Sequence, residues 1–489
     1  MGYKGCVHMD EINKELKLSK EVAKSLEQMK FVEWTEVQKQ CIPLVADGVN
    51  LVVKAETGSG KTGAYGIPLI HNIDWSENLP QVLVLVPTRE LATQVSSDLF
   101  AFGRYKKIKV TTLVGQVSES IQRRELNQKV HVVVATVGRC LDLIKKGIFN
   151  PSMIQALVLD EADEMLNLGF VNEVNEIIDF LPEEHQTLLF SATLNSKVKS
   201  WIEDLDFSPS WIEVVGESSV FDRITPYALL VGKDDKFSSV LDVLVMESSE
   251  SAILFCNQRE TVDALKDYLR RQGVPCLALH GAFEQEERFE VMRQFKEGKV
   301  RYLIATDVAA RGLDIENVPL IINVDVPHQP DIFIHRMGRS ARLNKLGKVV
   351  SIYTQNQRKY LDSVESKIHR PIHDYPHYTD QQVASKKDDF FQLIAKKPKK
   401  KGFKKEQIHQ DIQRLKIKGG TSAKMRPGDI VGAICGLDGI QVEDIGAIFM
   451  HELYCEVDIY AKGDEVFDKL SATPIKGKIR KISKIKSEG

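Results

Sequence analysis

A chain of 489 residues is too long for one ordinary domain, and its length predicts roughly three. Hydrophobic content of 43% suffices for packed cores, while 66 basic and 68 acidic residues nearly cancel, so net charge decides nothing about nucleic acid. No apolar stretch approaches the ~20 residues of a membrane span, no signal core opens the chain, and seven scattered cysteines without a CxxC pair argue against a disulfide framework or zinc site.

The expectation is a soluble cytoplasmic protein that touches no membrane. Met1-Gly2 does not read as a myristoylation signal, because position 6 is cysteine. Leu16, Leu18, Val22, Leu26 and Met29 recur with helical spacing, which predicts a helix within 12–30. Gln38 follows. Its amide both donates and accepts, matching the edge of adenine, although a surface glutamine is the blander account. Leu51-Val52-Val53 reads as a strand leading into Ala55-Glu56-Thr57-Gly58-Ser59-Gly60-Lys61-Thr62. Strand, glycine loop and Lys-Thr ahead of a helix form the context of a phosphate-binding loop. Gly58 and Gly60 free backbone N–H groups to turn toward a polyanion. Lys61 reaches the outer phosphates and Thr62 offers a hydroxyl to Mg²⁺. The helix from Ala64 is predicted to run only briefly, since Pro68 interrupts it.

Val82–Val86 and Val130–Val134 are apolar runs suited to buried parallel strands, the second with His131 inside it. They end in Pro87-Thr88-Arg89 and Thr136-Val137-Gly138-Arg139, polar tips at the sheet edge where α/β proteins bind ligands. Each offers an arginine and a hydroxyl for phosphate. Ala156–Leu159 runs into Asp160-Glu161-Ala162-Asp163. Acidic residues at the end of a buried strand are costly unless they hold a cation. Asp160 is placed to hold Mg²⁺, partly through water, and Glu161 to activate the attacking water. Leu188–Phe190 leads to a further tip, Ser191-Ala192-Thr193.

AETGSGKT, PTRELA, DEAD and SAT, in that order, resemble the first RecA-like domain of a DEAD-box RNA helicase. The likeness continues through His280-Gly281, Gln285, Arg288, Thr306-Asp307, Arg311-Gly312, Asp314 and His335-Arg336…Arg339…Arg342. It implies ATP and Mg²⁺ as cofactors, and RNA as partner. It also implies RNA-backbone contacts from Pro87, Thr88, Arg89, Thr136, Gly138, Arg139 and Thr306, and a ribose contact from Asp314. Arginines 336, 339 and 342 recur every three residues and are candidates to reach across a cleft between lobes. There Arg339 and Arg342 would stabilise charge on the γ-phosphate, a contribution of about 10³–10⁵ in rate. Ser191, Thr193, His335 and Arg336 are expected to couple ATP to RNA. Departures from the pattern stand at Lys30, Trp34, Val137 and Ala341.

The fold expected is α/β: two tandem RecA-like parallel-sheet domains plus a small α+β domain. The first lobe is expected over 1–208, a connection over 209–225, the second lobe over 226–385 and a basic tether over 386–410. From 411 to 489 the order βαββαβ is that of an RNA-recognition fold. It is poor in stacking aromatics, Tyr454 being one candidate, so binding would lean on Lys416, Lys418, Lys424, Arg426 and the basic run 476–486. Core, tether and tail together are similar to the DbpA/YxiN group. That likeness implies a monomer anchored to a hairpin of large-subunit ribosomal RNA in pre-ribosomal particles. An ATP-gated RNA clamp with slow turnover is the alternative, and a DNA-unwinding motor a further one.

Overall fold

The computed structural model describes residues 18–485 except 30, 32, 57, 206, 215–223, 308–317, 341–346, 397–412 and 461–462. Two compact units are present. Residues 1–54, 60–212 and 402–489 form one, and residues 55–59 with 213–401 form the other. No described helix is long and apolar enough to cross a membrane.

The first lobe is built on seven strands: β1 (Leu51–Lys54), β2 (Val82–Val86), β3 (Val110–Leu113), β4 (Val132–Thr136), β5 (Ala156–Asp160), β6 (Gln186–Ser191) and β7 (Ser210–Glu213). Their order is β3-β4-β2-β5-β6-β1-β7. The pairs from β3 across to β1 are all parallel. Strands β2 and β5 are buried along their whole length. That explains their unbroken apolar runs: helices cover both faces. The carboxyl ends of β2, β4, β5 and β6 carry the four polar tips to one edge of the sheet. Strand β7 was expected to be connection; its Ser210 N–H donates to Asn50 O at 2.8 Å instead, so the sheet extends into residues 210–213.

His131 lies just before β4 rather than inside it, and it is fully buried. Its Nδ1 accepts from the Lys109 amide at 2.9 Å, and Nε2 lies 3.3 Å from Trp75 O. Burial pushes the imidazole down to about 4. The unfolded chain takes up this proton near pH 6.5, and the folded chain only near pH 4. The stabilisation is therefore complete above pH 6.5 and is lost as pH falls through that window. Urea midpoints are expected to drop more steeply between pH 6.5 and 4 in the unmodified chain than in His131→Asn.

The second lobe repeats the plan with β8 (Ile224–Leu230), β9 (Ala252–Cys256), β10 (Cys276–Leu279), β11 (Tyr302–Thr306), β12 (Leu320–Asn323), β13 (Gly347–Tyr353) and β14 (His373–Asp374). The order is β10-β11-β9-β12-β13-β8-β14, parallel throughout. Clusters around Phe255 and Phe333 on one side and Leu254 and Phe390 on the other enclose this sheet. Phe390 belongs to the helix Asp380–Ala395, so residues 386–395 are folded structure and not tether. The helix holds there because Phe390 is fully buried and stacks against Tyr302 at 6.3 Å. The rest of the expected tether, 397–410, lies outside the described residues.

The C-terminal strands are β15 (Gln413–Lys418), β16 (Ile445–Met450), β17 (Tyr454–Ile459) and β18 (Ile482–Ile485), in the antiparallel order β16-β17-β15-β18. Helices Pro427–Cys435 and Gly463–Ser471 complete the expected βαββαβ order. Leu415, Ile417, Cys455 and Val457 pack with Ile430, Ile434, Val466 and Leu470 of the helices. Strand alternation then puts Arg414, Lys416, Lys418, Tyr454, Glu456 and Asp458 on the other face.

Candidate nucleotide and RNA site

The glycine loop starts immediately after β1. Gly58 and Gly60 take φ of 75° and 95°, left-handed values that a side chain resists. Glu56 O accepts from both the amide and the hydroxyl of Ser59, at 3.3 and 2.8 Å. Ala55 is buried, and Thr57 lies outside the described residues. Gly60 caps the helix Lys61–Asn72, whose N-terminus favours anions. Lys61 is only 7% exposed, and its Nζ has no hydrogen-bond partner among the described residues. A buried ammonium without an acceptor is costly, and a polyphosphate supplies the acceptors it lacks.

That helix is longer than expected: twelve residues, with Pro68 inside it. Tertiary packing overrides the proline. A Cβ on Gly66 would lie 2.5 Å from Leu99 Cδ2, so the helix can press directly onto the helix Arg89–Phe102. Gln38 contacts the glycine loop directly. Its Nε2 donates to Gly60 O at 3.1 Å and its Oε1 accepts from Thr35 N at 3.0 Å. Thr35-x-x-Gln38 is a capping box on the helix Glu36–Ala46, a signature the adenine reading passed over. The amide here braces the end of the glycine loop, using one N–H and one lone pair of its oxygen.

Asp160 ends β5 and is 3% exposed. Its Oδ2 accepts from the Tyr65 hydroxyl at 2.9 Å, and its Oδ1 accepts from Glu161 N at 3.0 Å. Burial, then the Asp160 charge, pushes the Tyr65 phenol well above its ordinary value, so it remains a donor. Tyr65 thus touches Asp160, one of the two residues expected to hold Mg²⁺. Glu161 sits at φ 57° and ψ 51°, a strained left-handed conformation for a non-glycine residue, at the N-cap of the helix Ala162–Asn167. Hard oxygen donors and an orphaned lysine fit a Mg²⁺–triphosphate. Tyr65→Phe removes one buried hydrogen bond to a carboxylate, worth about 1.5–3 kcal/mol or roughly tenfold or more. The midpoint of Mg²⁺-dependent fluorescent-ADP binding is expected to rise accordingly; an unchanged midpoint would show the phenol to be idle.

Asp163 was not singled out from sequence beyond its place in the acidic quartet, yet it ties two tips together. Its Oδ2 accepts from Thr193 N at 3.0 Å and from the Thr193 hydroxyl at 2.7 Å, while Ser191 Oγ donates to Thr193 O at 2.7 Å. All three are buried. Of the RNA-side candidates, Pro87 is buried, and Thr88 caps its helix by accepting from Leu91 N at 3.3 Å. Arg89 and Thr136 are half-buried and Gly138 is open. Arg139 is internally committed. It donates to Gln122 at 2.9 Å, Asp142 at 2.9 Å and Val117 O at 3.4 Å, and so braces the segment 117–122 instead of presenting a free cation.

In the second unit Thr306 closes β11 at 9% exposure. Arg336 does not project from its helix, Pro330–Met337. It is 2% exposed, and its five N–H donors meet Asp307 twice, Asn323, Asp325 O and Asn257 at 2.5–3.0 Å. The expected reach of Arg336 across a cleft is therefore corrected to an internal clamp. His335 and Arg339 are half-buried, and Arg339 follows the helix end at Gly338. Asp314 and Arg342 lie outside the described residues. In the C-terminal domain Lys418, Lys424 and Arg426 are exposed, and Lys416 Nζ lies 3.8 Å over the Tyr454 ring. Phe449 is an aromatic that the sequence reading missed; it pairs with Glu456 on the outer sheet face.

Comparison with known proteins supplies the decisive observation. Residues 35–201 match the DEAD/DEAH box helicase family, 235–344 the helicase conserved C-terminal domain, and 414–484 the DbpA RNA binding domain. Over 472 residues the chain is 41% identical to the ATP-dependent RNA helicase DbpA of Bacillus subtilis (strain 168), covering 96% of this chain and 98% of that protein. The chain belongs to the DEAD-box ATP-dependent RNA helicases. This helicase is also 38% identical to the DEAD-box ATP-dependent RNA helicase CshA of Geobacillus kaustophilus, over 72% of this chain and 75% of that one. Its fold is similar to S. cerevisiae Dbp5 bound to RNA and ADP BeF3 (TM-score 0.68, 27% identity, 78% of this chain and 99% of that). It is also similar to Mss116p bound to ssRNA and AMP-PNP (TM-score 0.70, 26% identity, 81% and 84%).

Proposed function

We propose that this DEAD-box helicase locally remodels structured RNA, with large-subunit ribosomal RNA during ribosome assembly as its substrate and the C-terminal domain as its anchor. One observation carries the reading: likeness to DbpA runs through the C-terminal domain, whereas likeness to CshA covers only 72% of the chain. In this reading Thr62 and Asp160 hold Mg²⁺, which neutralises phosphate charge when bound. Lys61 holds the outer phosphates and Glu161 orients water. Arg339 and Arg342 act on the γ-phosphate, and Asp314 on the ribose. Pro87, Thr88, Arg89, Thr136, Gly138 and Thr306 grip the RNA backbone, while Asp163, Ser191 and Thr193 link the two chemistries. Lys416, Lys418, Lys424 and Arg426 supply charge to the anchor, which raises the effective concentration of nearby duplex. The helicase works as a cytoplasmic monomer.

The test is steady-state ATP hydrolysis with matched large-subunit ribosomal RNA, an unrelated structured RNA and single-stranded DNA. Ribosomal RNA is expected to stimulate most, and DNA least. Equal stimulation by both RNAs would reject the substrate. Deleting residues 406–489 is expected to abolish the preference while generic RNA stimulation remains; a preference that survives would place specificity in the core.

A further inference from the structure

We propose that the C-terminal domain latches onto the first lobe through residues 104–109, and that RNA laid on the outer face of its sheet releases this latch. The segment is the turn between the helix Arg89–Phe102 and β3. Arg104 is only 3% exposed, although it stands on a turn. Its guanidinium lies 4.4 Å from the centroid of Tyr460 and donates to Tyr460 O at 3.3 Å. The Tyr460 hydroxyl donates back to Arg104 O at 2.9 Å, and Tyr105 meets the same ring edge-on at 5.7 Å. Two further lysines follow. Lys107 Nζ donates to Val442 O at 3.2 Å, and Lys109 Nζ donates to Ile448 O at 2.7 Å.

Burial separates this contact from casual adjacency. Charged groups are almost never fully buried unless paired. Asp458 stands on the outer sheet face yet has no exposure, and its carboxylate accepts two bonds from Arg414 at 2.6 and 3.0 Å. Desolvation pushes the Lys109 amine down to about 8. Within the C-terminal domain Gly446 leaves room for the Tyr460 ring: a Cβ there would lie 2.5 Å from it.

The RNA consequence follows from Phe449. Lys109 lies 4.9 Å over its ring, as does the Arg414 guanidinium. Aromatics on this sheet face are the stacking platform of RNA-recognition folds. A base that stacks on Phe449 must displace Lys109 and shift Arg414, so docking and stacking compete for this ring. By linkage, each then weakens the other by the same factor.

The test uses the full chain with accessible cysteines replaced, a donor dye at Glu27 and an acceptor at Asp438, both exposed positions. Single molecules are expected to show one dominant high-transfer population. Arg104→Ala should move most molecules to low transfer, and a twelve-nucleotide oligouridine should do the same to the unmodified chain. Tyr105→Ala, which changes no charge, serves as the second variant should Arg104→Ala lose its native circular dichroism. Nucleotide-free affinity for oligouridine is expected to rise about 3–10-fold in Tyr105→Ala, because the docked fraction no longer reduces it. Low transfer in the unmodified chain, or unchanged transfer in the variants, would overturn the latch. Unchanged or weaker RNA affinity would overturn its release by RNA.

Discussion

Glu161→Gln is expected to lower RNA-stimulated ATP turnover by about 10²–10⁴-fold, the usual contribution of a positioned general base. The carboxylate follows Asp160 on a backbone held at φ 57°, and Glu161 N is tied to Asp160 Oδ1 at 3.0 Å. This strained turn is kept by its neighbours: Glu161 O accepts from Glu164 N at 2.9 Å and from Met165 N at 3.1 Å. Glutamine fits the same turn, so folding and ATP binding should survive. Only the basic oxygen is lost. The variant should therefore retain ATP and hold RNA far longer than the unmodified helicase does. Single-turnover hydrolysis and RNA dissociation in the presence of ATP measure the two effects. Turnover within a few-fold of the unmodified enzyme would remove Glu161 from the chemistry.

Arg336→Ala is expected to destabilise the second lobe by about 3–5 kcal/mol, the cost of breaking a buried pair from one side. The side chain is among the largest wholly buried ones in the molecule. It satisfies the Asp307 carboxylate with two bonds at 2.5 and 2.7 Å, and its guanidinium lies 5.1 Å from the Phe255 ring centroid. Truncation leaves a carboxylate, two amides and a carbonyl facing a void. Arg336→Lys keeps the charge but loses the planar fork, so it should recover only part of the loss. Urea unfolding of the full chain should show the second-lobe transition shifted and the first-lobe transition unmoved. An unshifted transition would return Arg336 to a role outside the fold.

The two residues were read from the chain over different distances. Glu161 was legible because acidic residues after an apolar strand need a cation, and that argument involves neighbours in the chain. Arg336 was read as one of three arginines free to reach outward; the partners that pin it, Asn257, Asp307, Asn323 and Asp325, lie 11 to 79 residues before it in the chain. Gln38 shows a nearer case. The Thr35–Gln38 capping box is local, but the contact that makes it matter is with Gly60, twenty-two residues on.

The two-lobed α/β plan, the glycine loop, the acidic strand end and the βαββαβ tail were readable along the chain. Each depends on short-range periodicity or on a motif whose chemistry is complete within a few residues. Tertiary structure alone decided that the loop helix runs through Pro68 and that Asp163 binds Thr193. It also decided that Tyr65 donates to Asp160, and that Arg104 is capped by Tyr460. These outcomes depend on which surfaces meet. Burial energy is set by contacts between segments far apart in the chain, and it outweighs the local preferences that a sequence displays.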